Sequence, residues 1–250
     1  MQLDQAFEGT RAVAGWVRAD SGTRNPTWLG AGRAATWLRR TDAARLSRIV
    51  EAMRRARGNG VPCPEPVHAR LLAGGAALLL AQRLPGAPAA RLNPEMLAVV
   101  LAAIHGVPID GIPPAEIGPA PRFGRAGAAV TGGADTVFGH FDLFPDNVLV
   151  EGGRVCGVVD WEFAGAGPRV LDVAIAALGA SAARPGRARA DLEALAAAYE
   201  AAAGVRLDRA ALTGAYLYAA ALFAQRRAEA APPRPAGDLS ACAAAVGAGP

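Results

Sequence analysis

His140-Phe141-Asp142-Leu143-Phe144-Pro145-Asp146-Asn147 is followed, thirteen residues after the asparagine, by Asp160 in Val158-Val159-Asp160-Trp161. A carboxylate, a carboxamide five positions on, and a second carboxylate stand in that order. Between them, Val148-Leu149-Val150 reads as a short strand, Glu151-Gly152-Gly153-Arg154 as a hairpin turn, and Val155 to Val159 as the returning strand. A hairpin of this length brings Asp160 back beside Asn147, so the three groups converge. Phosphoryl transfer from a nucleotide uses such a set. One Asp accepts the proton of the attacking hydroxyl, the Asn holds a Mg²⁺ ion, and the Asp on the next strand holds metal against the β- and γ-phosphates. Each piece alone has a plainer reading, as a turn, a strand cap or a chance His-x-Asp. The combination carries the assignment.

The words His140-Phe-Asp142-Leu-Phe-Pro-Asp-Asn147-Val-Leu-Val and Val-Val-Asp160-Trp-Glu-Phe resemble the catalytic segment of the aminoglycoside phosphotransferase and choline kinase-like superfamily. Asp-Leu-Phe-Pro-Asp-Asn-Val also resembles the kinase-like homoserine kinases. The resemblance implies an α+β, bilobal, protein-kinase-like fold. Residues 1–84 would form a small antiparallel-sheet N-lobe with a hinge near 80–86, and residues 85–250 a mainly helical C-lobe. It also implies ATP and Mg²⁺ as cofactors, and a small molecule with a free hydroxyl as acceptor. Carried over residue by residue, Asp142 is the catalytic base, and Asn147 and Asp160 are the Mg²⁺ ligands. His140 braces the loop through hydrogen bonds. Asp172, in Leu171-Asp172-Val173-Ala174, matches an acidic position that opens a C-lobe helix, and His105 matches a helix-end histidine; both are read as structural. The likeness is strongest over residues 137–178, extends over 45–110, and is faint elsewhere.

Composition bounds the alternatives. At 250 residues and 52% hydrophobic, the chain can bury a core and reads as globular. It has no lysine; all 26 basic residues are arginine, which with the abundant Ala and Gly points to GC-rich coding rather than to function. Cys63, Cys156 and Cys242 lack metal-ligand spacing and read as reduced thiols. The start, Met1 to Gln5, has neither a basic nor an apolar signal region, and the longest apolar stretch, Leu71 to Ala81, is too short to cross a bilayer. The expectation is a cytoplasmic protein with no membrane partner. Residues 1–104 carry 14 Arg against 7 acidic residues, and residues 105–250 carry 12 Arg against 15. A basic front suits a polyanionic nucleotide, and an acidic back suits a cationic acceptor, although scattered solvated charge accounts for the same balance. No run of Arg interleaved with aromatics points to nucleic acid. Oligomeric state is not legible.

The front third reads as short strands around one helix. Val13 to Arg18 and Ala34 to Arg39 are expected strands. Between them, the polar turn from Asp20 to Thr27 includes Ser21, Gly22 and Thr23, whose backbone N–H groups could cradle phosphate; an ordinary hairpin turn fits the same residues. A helix is expected from Asp42 to about Ala56, with Leu46, Ile49, Val50 and Met53 on one face and Gly58-Asn59-Gly60 as its stop. Ala81, Gln82 and Arg83 resemble the family's hinge, where backbone groups pair with adenine; a buried edge strand is the alternative. Further helices are expected over Pro94 to Ile104, Leu171 to Gly179, Arg189 to Ala203 and Asp208 to Glu229. Residues 106–134 read as an irregular connection. Tyr199, Tyr216, Tyr218 and Phe223 read as core.

One departure from the resemblance matters. Kinases grip the α- and β-phosphates with a Lys on the third strand, paired to a helix Glu. With no Lys in this chain, Arg39 falls where that Lys is expected, and its fork can hold phosphate through two parallel bonds. Glu51, the nearest candidate partner, lies opposite the apolar face of its helix. Two acceptor classes follow from the resemblance: an aminoglycoside-like or other cationic antibiotic first, and a small amino alcohol such as homoserine or choline second. A non-catalytic nucleotide-binding module of the same fold is the competing class.

Overall fold

A two-stranded sheet and a layer of helices position the loop quoted above. The computed structural model describes residues 15–19, 25–117, 135–229 and 237–248. These residues divide between two compact units: one comprises residues 1–88 and 148–159, the other 89–147 and 160–250. The sequence-based boundary near residue 84 kept the hairpin with the second lobe. In the structure, Val148–Val159 groups with the first unit.

The first unit is built on a five-stranded antiparallel sheet in the order β1-β2-β3-β5-β4. Its strands are β1 (Val17–Arg18), β2 (Thr27–Gly30), β3 (Arg33–Leu38), β4 (Pro66–Leu72) and β5 (Ala76–Gln82). Alternation drives the packing. Ala35 and Leu78 are buried, and Trp16, Trp37, Leu72 and Leu80 close over them. The helix α1 (Ala43–Gly58) packs against β4 through its apolar stripe of Leu46, Ile49, Ala52, Met53 and Ala56. Asp42 caps it by accepting from the Arg45 N–H at 2.8 Å, and Asn59 and the left-handed Gly60 end it. This matches the expected helix within two residues. Glu51 pairs with Arg55 at 2.7 Å on the exposed face, one turn away on the same helix.

The same unit holds a three-stranded sheet of β6 (Ala87–Pro88), β8 (Val148–Glu151) and β9 (Arg154–Val158). The turn between β8 and β9 is narrower than the expected Glu151–Arg154. Glu151 and Arg154 are paired across the ladder, leaving Gly152 and Gly153, both at positive φ, as the two-residue turn. Two consecutive left-handed residues are what a twisted hairpin needs, and glycine adopts them without Cβ strain.

The second unit packs helices α2 (Pro94–His105), α3 (Arg169–Ser181), α4 (Ala188–Ala203), α5 (Arg209–Ala228) and α6 (Gly237–Gly247). Helix α2 packs on α4, and α3 on α4 and α5, while α6 covers α5. Every residue of α3 from Leu171 to Gly179 is buried, so this helix is the unit's centre. Its only acid in that stretch, Asp172, is fully buried and needs partners. A two-stranded antiparallel sheet of β7 (Thr136–Gly139) and β10 (Gly165–Pro168) lies beside α3. Tyr199, Tyr216, Tyr218 and Phe223 are all buried, as expected of core.

Candidate functional site

The loop from His140 to Asn147 leaves β7 through a sharp reversal. Phe141 sits at φ 57°, a left-handed backbone that a bulky side chain rarely adopts. Two features hold it there. The Asp172 carboxylate accepts the Phe141 N–H at Oδ1 (2.7 Å) and the His140 N–H at Oδ2 (2.8 Å). The Phe141 ring fills space left by strand glycines. A Cβ on Gly139 would lie 2.6 Å from that ring and 2.8 Å from Asp172 Oδ2, and one on Gly167 would lie 2.6 Å from the ring. Those glycines are paired strand residues, so sheet and loop are built around one aromatic side chain.

With its backbone held from α3, the loop's own polar side chains turn to one another. Asn147, ending a single 3₁₀ turn over Pro145–Asn147, donates from Nδ2 to the Asp142 carbonyl oxygen at 2.7 Å and to Asp142 Oδ2 at 3.3 Å. That engages the amide nitrogen and leaves Oδ1 as the atom Asn147 can offer a cation. Burial pushes the Asp142 carboxyl well above the ordinary carboxylate range. The nearby Asp160 charge adds to the rise, as do Asp146 and Glu162, while Arg226 opposes it. Asp160 therefore lies within electrostatic reach of Asp142. It is exposed and stands at φ 63°, just past β9, where a carboxylate side chain tolerates the left-handed region better than most. Thus Asp142, Asn147 and Asp160, which the sequence marked together, lie in one unit, with Asp142 bonded to Asn147 and within electrostatic reach of Asp160.

The surroundings are aromatic. His140 is fully buried, with its ring edge-on to Trp161 at 4.8 Å, and Trp161 stacks with Phe138 at 6.1 Å. The Arg226 guanidinium, near the end of α5, lies 4.3 Å over the Phe163 ring and 5.0 Å from the Phe223 ring, and donates to the Ile117 carbonyl at 2.7 Å. Sequence reading missed Arg226 and the buried Glu162. Trp-Glu-Phe follows Asp160 directly, so a buried acid between aromatics was a visible signal; Arg226, 64 positions on from Glu162, had none.

Asp172 does more than open a helix. His105 Nε2 approaches its Oδ2 at 3.1 Å, while His105 Nδ1 meets the Tyr199 hydroxyl at 2.6 Å. Burial alone would raise the Asp172 carboxyl, but the hydrogen bond from His105, with that from the His140 N–H, holds it below the ordinary range. The loop is therefore anchored on an ionised carboxylate.

The other sequence-marked residues belong to the first unit. Arg39 is exposed, just past β3, with its N–H bound to Asn25 Oδ1 at 3.0 Å. Ala81 is buried between β3 and β4 partners. The backbone N–H of Gln82 donates to the Glu65 carbonyl at 2.8 Å, and that of Arg83 to the Gly32 carbonyl at 3.1 Å. Both of these N–H groups are engaged within their own unit. Gln82 Oε1 is buried with no hydrogen-bond partner among the described residues. Ser21, Gly22 and Thr23 lie outside the described residues.

Among the described residues no cluster of three or more His, Cys, Asp or Glu is arranged to chelate a metal. Two carboxylates and a carboxamide nonetheless form a hard oxygen set that fits Mg²⁺, which is held by one or two carboxylates and completed by water and substrate phosphates.

The sequence pattern of the phosphotransferase enzyme family matches residues 16–131 and 123–213. The chain belongs to that family. A homoserine kinase from Gluconobacter oxydans (strain 621H) is 31% identical to it over 176 residues, 55% of this chain and 55% of that protein. The chain thus matches about half the length of that curated relative. A choline/ethanolamine kinase family protein from Mesorhizobium loti superposes with a TM-score of 0.67 at 17% identity, covering 99% of this chain and 94% of that one. Aminoglycoside phosphotransferase APH(3'')-Id from Streptomyces rimosus, solved with ADP and streptomycin, superposes with a TM-score of 0.65 at 20% identity, covering 86% and 97%. At these identities the likeness establishes the fold: α+β, with an antiparallel-sheet unit and a mainly helical unit, as the sequence led one to expect. No helix among the described residues is long and apolar enough to cross a membrane.

Proposed function

We propose that this chain transfers the γ-phosphoryl group of ATP to the hydroxyl of a small-molecule acceptor. The observation that carries the reading is the Asp142–Asn147 pair beside Asp160, on a loop whose backbone is anchored by Asp172. Asp142 orients the acceptor hydroxyl and takes its proton. A carboxylate whose pKa is raised by burial is a stronger proton acceptor near neutral pH. Asn147 holds the Asp142 side chain in one orientation and, through Oδ1, joins Asp160 as the oxygen donors for Mg²⁺. The bound metal would offset charge developing on the phosphates. Arg39 is the residue assigned to the nucleotide phosphates, with residues 1–84 as the nucleotide-binding part and 85–250 as the part carrying the base, metal ligands and acceptor site. The enzyme is proposed to be cytoplasmic.

For the acceptor, we favour a small amino alcohol of the homoserine type over the cationic antibiotic placed first from the sequence. The observation behind this order is the 31% identity to a homoserine kinase, against 20% or less for the aminoglycoside-modifying structures. Measuring ADP release with L-homoserine, choline and streptomycin at equal concentration tests it. Stimulation by homoserine above the other two is expected. Stimulation by streptomycin alone would restore the antibiotic reading, and no stimulation with tight ATP·Mg²⁺ binding would favour the non-catalytic module.

A further inference from the structure

The loop that carries Asp142 is tied to a chain of side chains that runs out of the core on the far side of Asp172. Asp172 accepts from the His140 and Phe141 backbone and meets His105 Nε2 at 3.1 Å. His105 Nδ1 meets the Tyr199 hydroxyl at 2.6 Å, and the same hydroxyl receives a bond from Arg169 Nη1 at 2.6 Å. Arg169 Nε donates to Asp135 Oδ2 at 2.7 Å, where that carboxylate is 58% exposed. Five side chains, from α2, α3, α4 and the residue just before β7, thus link solvent to the reversal at Phe141.

Donor counting gives this chain a direction. Guanidinium groups only donate, so Arg169 must give its hydrogen to the Tyr199 oxygen. The Tyr199 O–H then has His105 Nδ1, 2.6 Å away, as its acceptor. An Nδ1 that accepts leaves the ring proton on Nε2, where it points at Asp172 Oδ2. Burial pushes the Tyr199 phenol above its ordinary value, with Arg169 opposing, so the hydroxyl keeps the hydrogen this arrangement needs. Removing any link frees the next group to turn. Without the Tyr199 O–H, the Asp172 carboxylate is the one bonded group left to hold the His105 proton on Nε2, and that bond has less support.

We infer that Tyr199, oriented by Arg169, is a positioning residue for phosphoryl transfer: it selects the His105 tautomer that keeps Asp172 fixed on the backbone of the Asp142 loop. The inference rests on the proposed function for its catalytic part and on geometry alone for its structural part. Phe141 is held at positive φ by two N–H bonds to a single carboxylate, so weakening that carboxylate's other support loosens the strained residue directly before Asp142.

Nitrogen-15 NMR of the 250-residue protein without ligands tests the structural part. The chain has three histidines, His68, His105 and His140, so assignment is tractable. The wild type is expected to show His105 with its proton on Nε2. Tyr199→Phe, which keeps the buried ring, is expected to give a mixture of tautomers and roughly tenfold faster amide exchange at Phe141. Steady-state kinetics then tests the catalytic part: Tyr199→Phe should lower kcat about tenfold, with the KM for ATP changed less than twofold. In a His105→Gln background, whose amide donor can reach Asp172 without a tautomer to set, Tyr199→Phe should cost little further in kcat. Should Tyr199→Phe fail to fold, Arg169→Met leaves the tyrosine ring in place and should shift the same His105 resonances. Unchanged His105 tautomer and Phe141 exchange in both variants would overturn the inference and leave Tyr199 as a core filler. If wild type phosphorylates no acceptor, the proposed function fails, while the NMR result still decides the structural claim.

Discussion

The loop from His140 to Asn147 and the strand end from Ala81 to Arg83 each leave paired strands, yet they use their polar groups in opposite ways. In the loop, the backbone N–H groups of His140 and Phe141 are satisfied by a carboxylate from α3, so Asp142 and Asn147 are left to interact with each other. At the strand end, the N–H groups of Gln82 and Arg83 are satisfied by neighbouring backbone carbonyls, and the Gln82 side-chain oxygen has no partner among the described residues. Chemistry needs side chains that are positioned but not consumed. The loop achieves this by bringing a buried acid to its backbone, at the desolvation cost of burying Asp172. The strand end makes ordinary sheet-edge bonds and offers a single orphan acceptor.

The comparison breaks most visibly at Asp160. Asp160→Ala should lower phosphoryl transfer by roughly 10²–10³-fold and abolish the thermal stabilisation that ATP gives only when Mg²⁺ is present. Retention of that Mg²⁺-dependent shift would remove Asp160 from the metal set. Next comes the loop's foundation. Gly139→Ala places a methyl group 2.6 Å from the Phe141 ring, and denaturant titration should show a loss of about 1–3 kcal/mol. A neutral result would mean that the ring has room to retreat and that the left-handed Phe141 is not pinned by the strand glycines.

Gln82 probes the other region. Relieving a buried unsatisfied acceptor by Gln82→Leu should stabilise the free protein by about 1 kcal/mol. If the same change weakens ATP binding by calorimetry, the strand end reads the nucleotide through this side chain; unchanged ATP binding would confine its role to the sheet. The smallest expected effect is on pH dependence. Asp172 has a lowered folded-state pKa, so its contribution to stability is fully present above the ordinary carboxylate value of 3.8 and is lost as pH falls from there toward its depressed value. Thermal unfolding followed from pH 5 down to acid should therefore be steeper for wild type than for Asp172→Asn. Parallel slopes would mean that Asp172 is not held ionised by His105 and His140.

Much of this was legible in the chain. Asp142, Asn147 and Asp160 could be grouped because a hairpin with Gly152-Gly153 at its tip has few ways to fold, and the helices announced themselves through caps such as Asp42 and apolar periodicity. Strands β7 and β10 did not, because Gly165-Ala166-Gly167-Pro168 has the composition of a loop. Gly167 makes room for the Phe141 ring and Gly165 for the backbone of Ala115 and Pro113, requirements that appear only once those positions are known. Asp172 could be seen as an acid in an apolar run, which must be paired, but its partners lie about thirty and sixty-seven positions away. The same distance problem hid Arg226 and the Tyr199 network. In the front unit, the resemblance marked Ala81, Gln82 and Arg83 as a hinge whose backbone groups pair with adenine; that the N–H groups of Gln82 and Arg83 bond to Glu65 and Gly32 depends on strand register, which the sequence does not display.

The central claim is that Asp142 performs proton transfer and does not hold the nucleotide. Asp142→Asn keeps the shape and the contact to Asn147 while removing the base. Single-turnover transfer from γ-labelled ATP, measured alongside calorimetric ATP·Mg²⁺ affinity, should show transfer slowed by at least ~100-fold with affinity changed less than about twofold. Transfer within a few-fold of wild type would contradict the account.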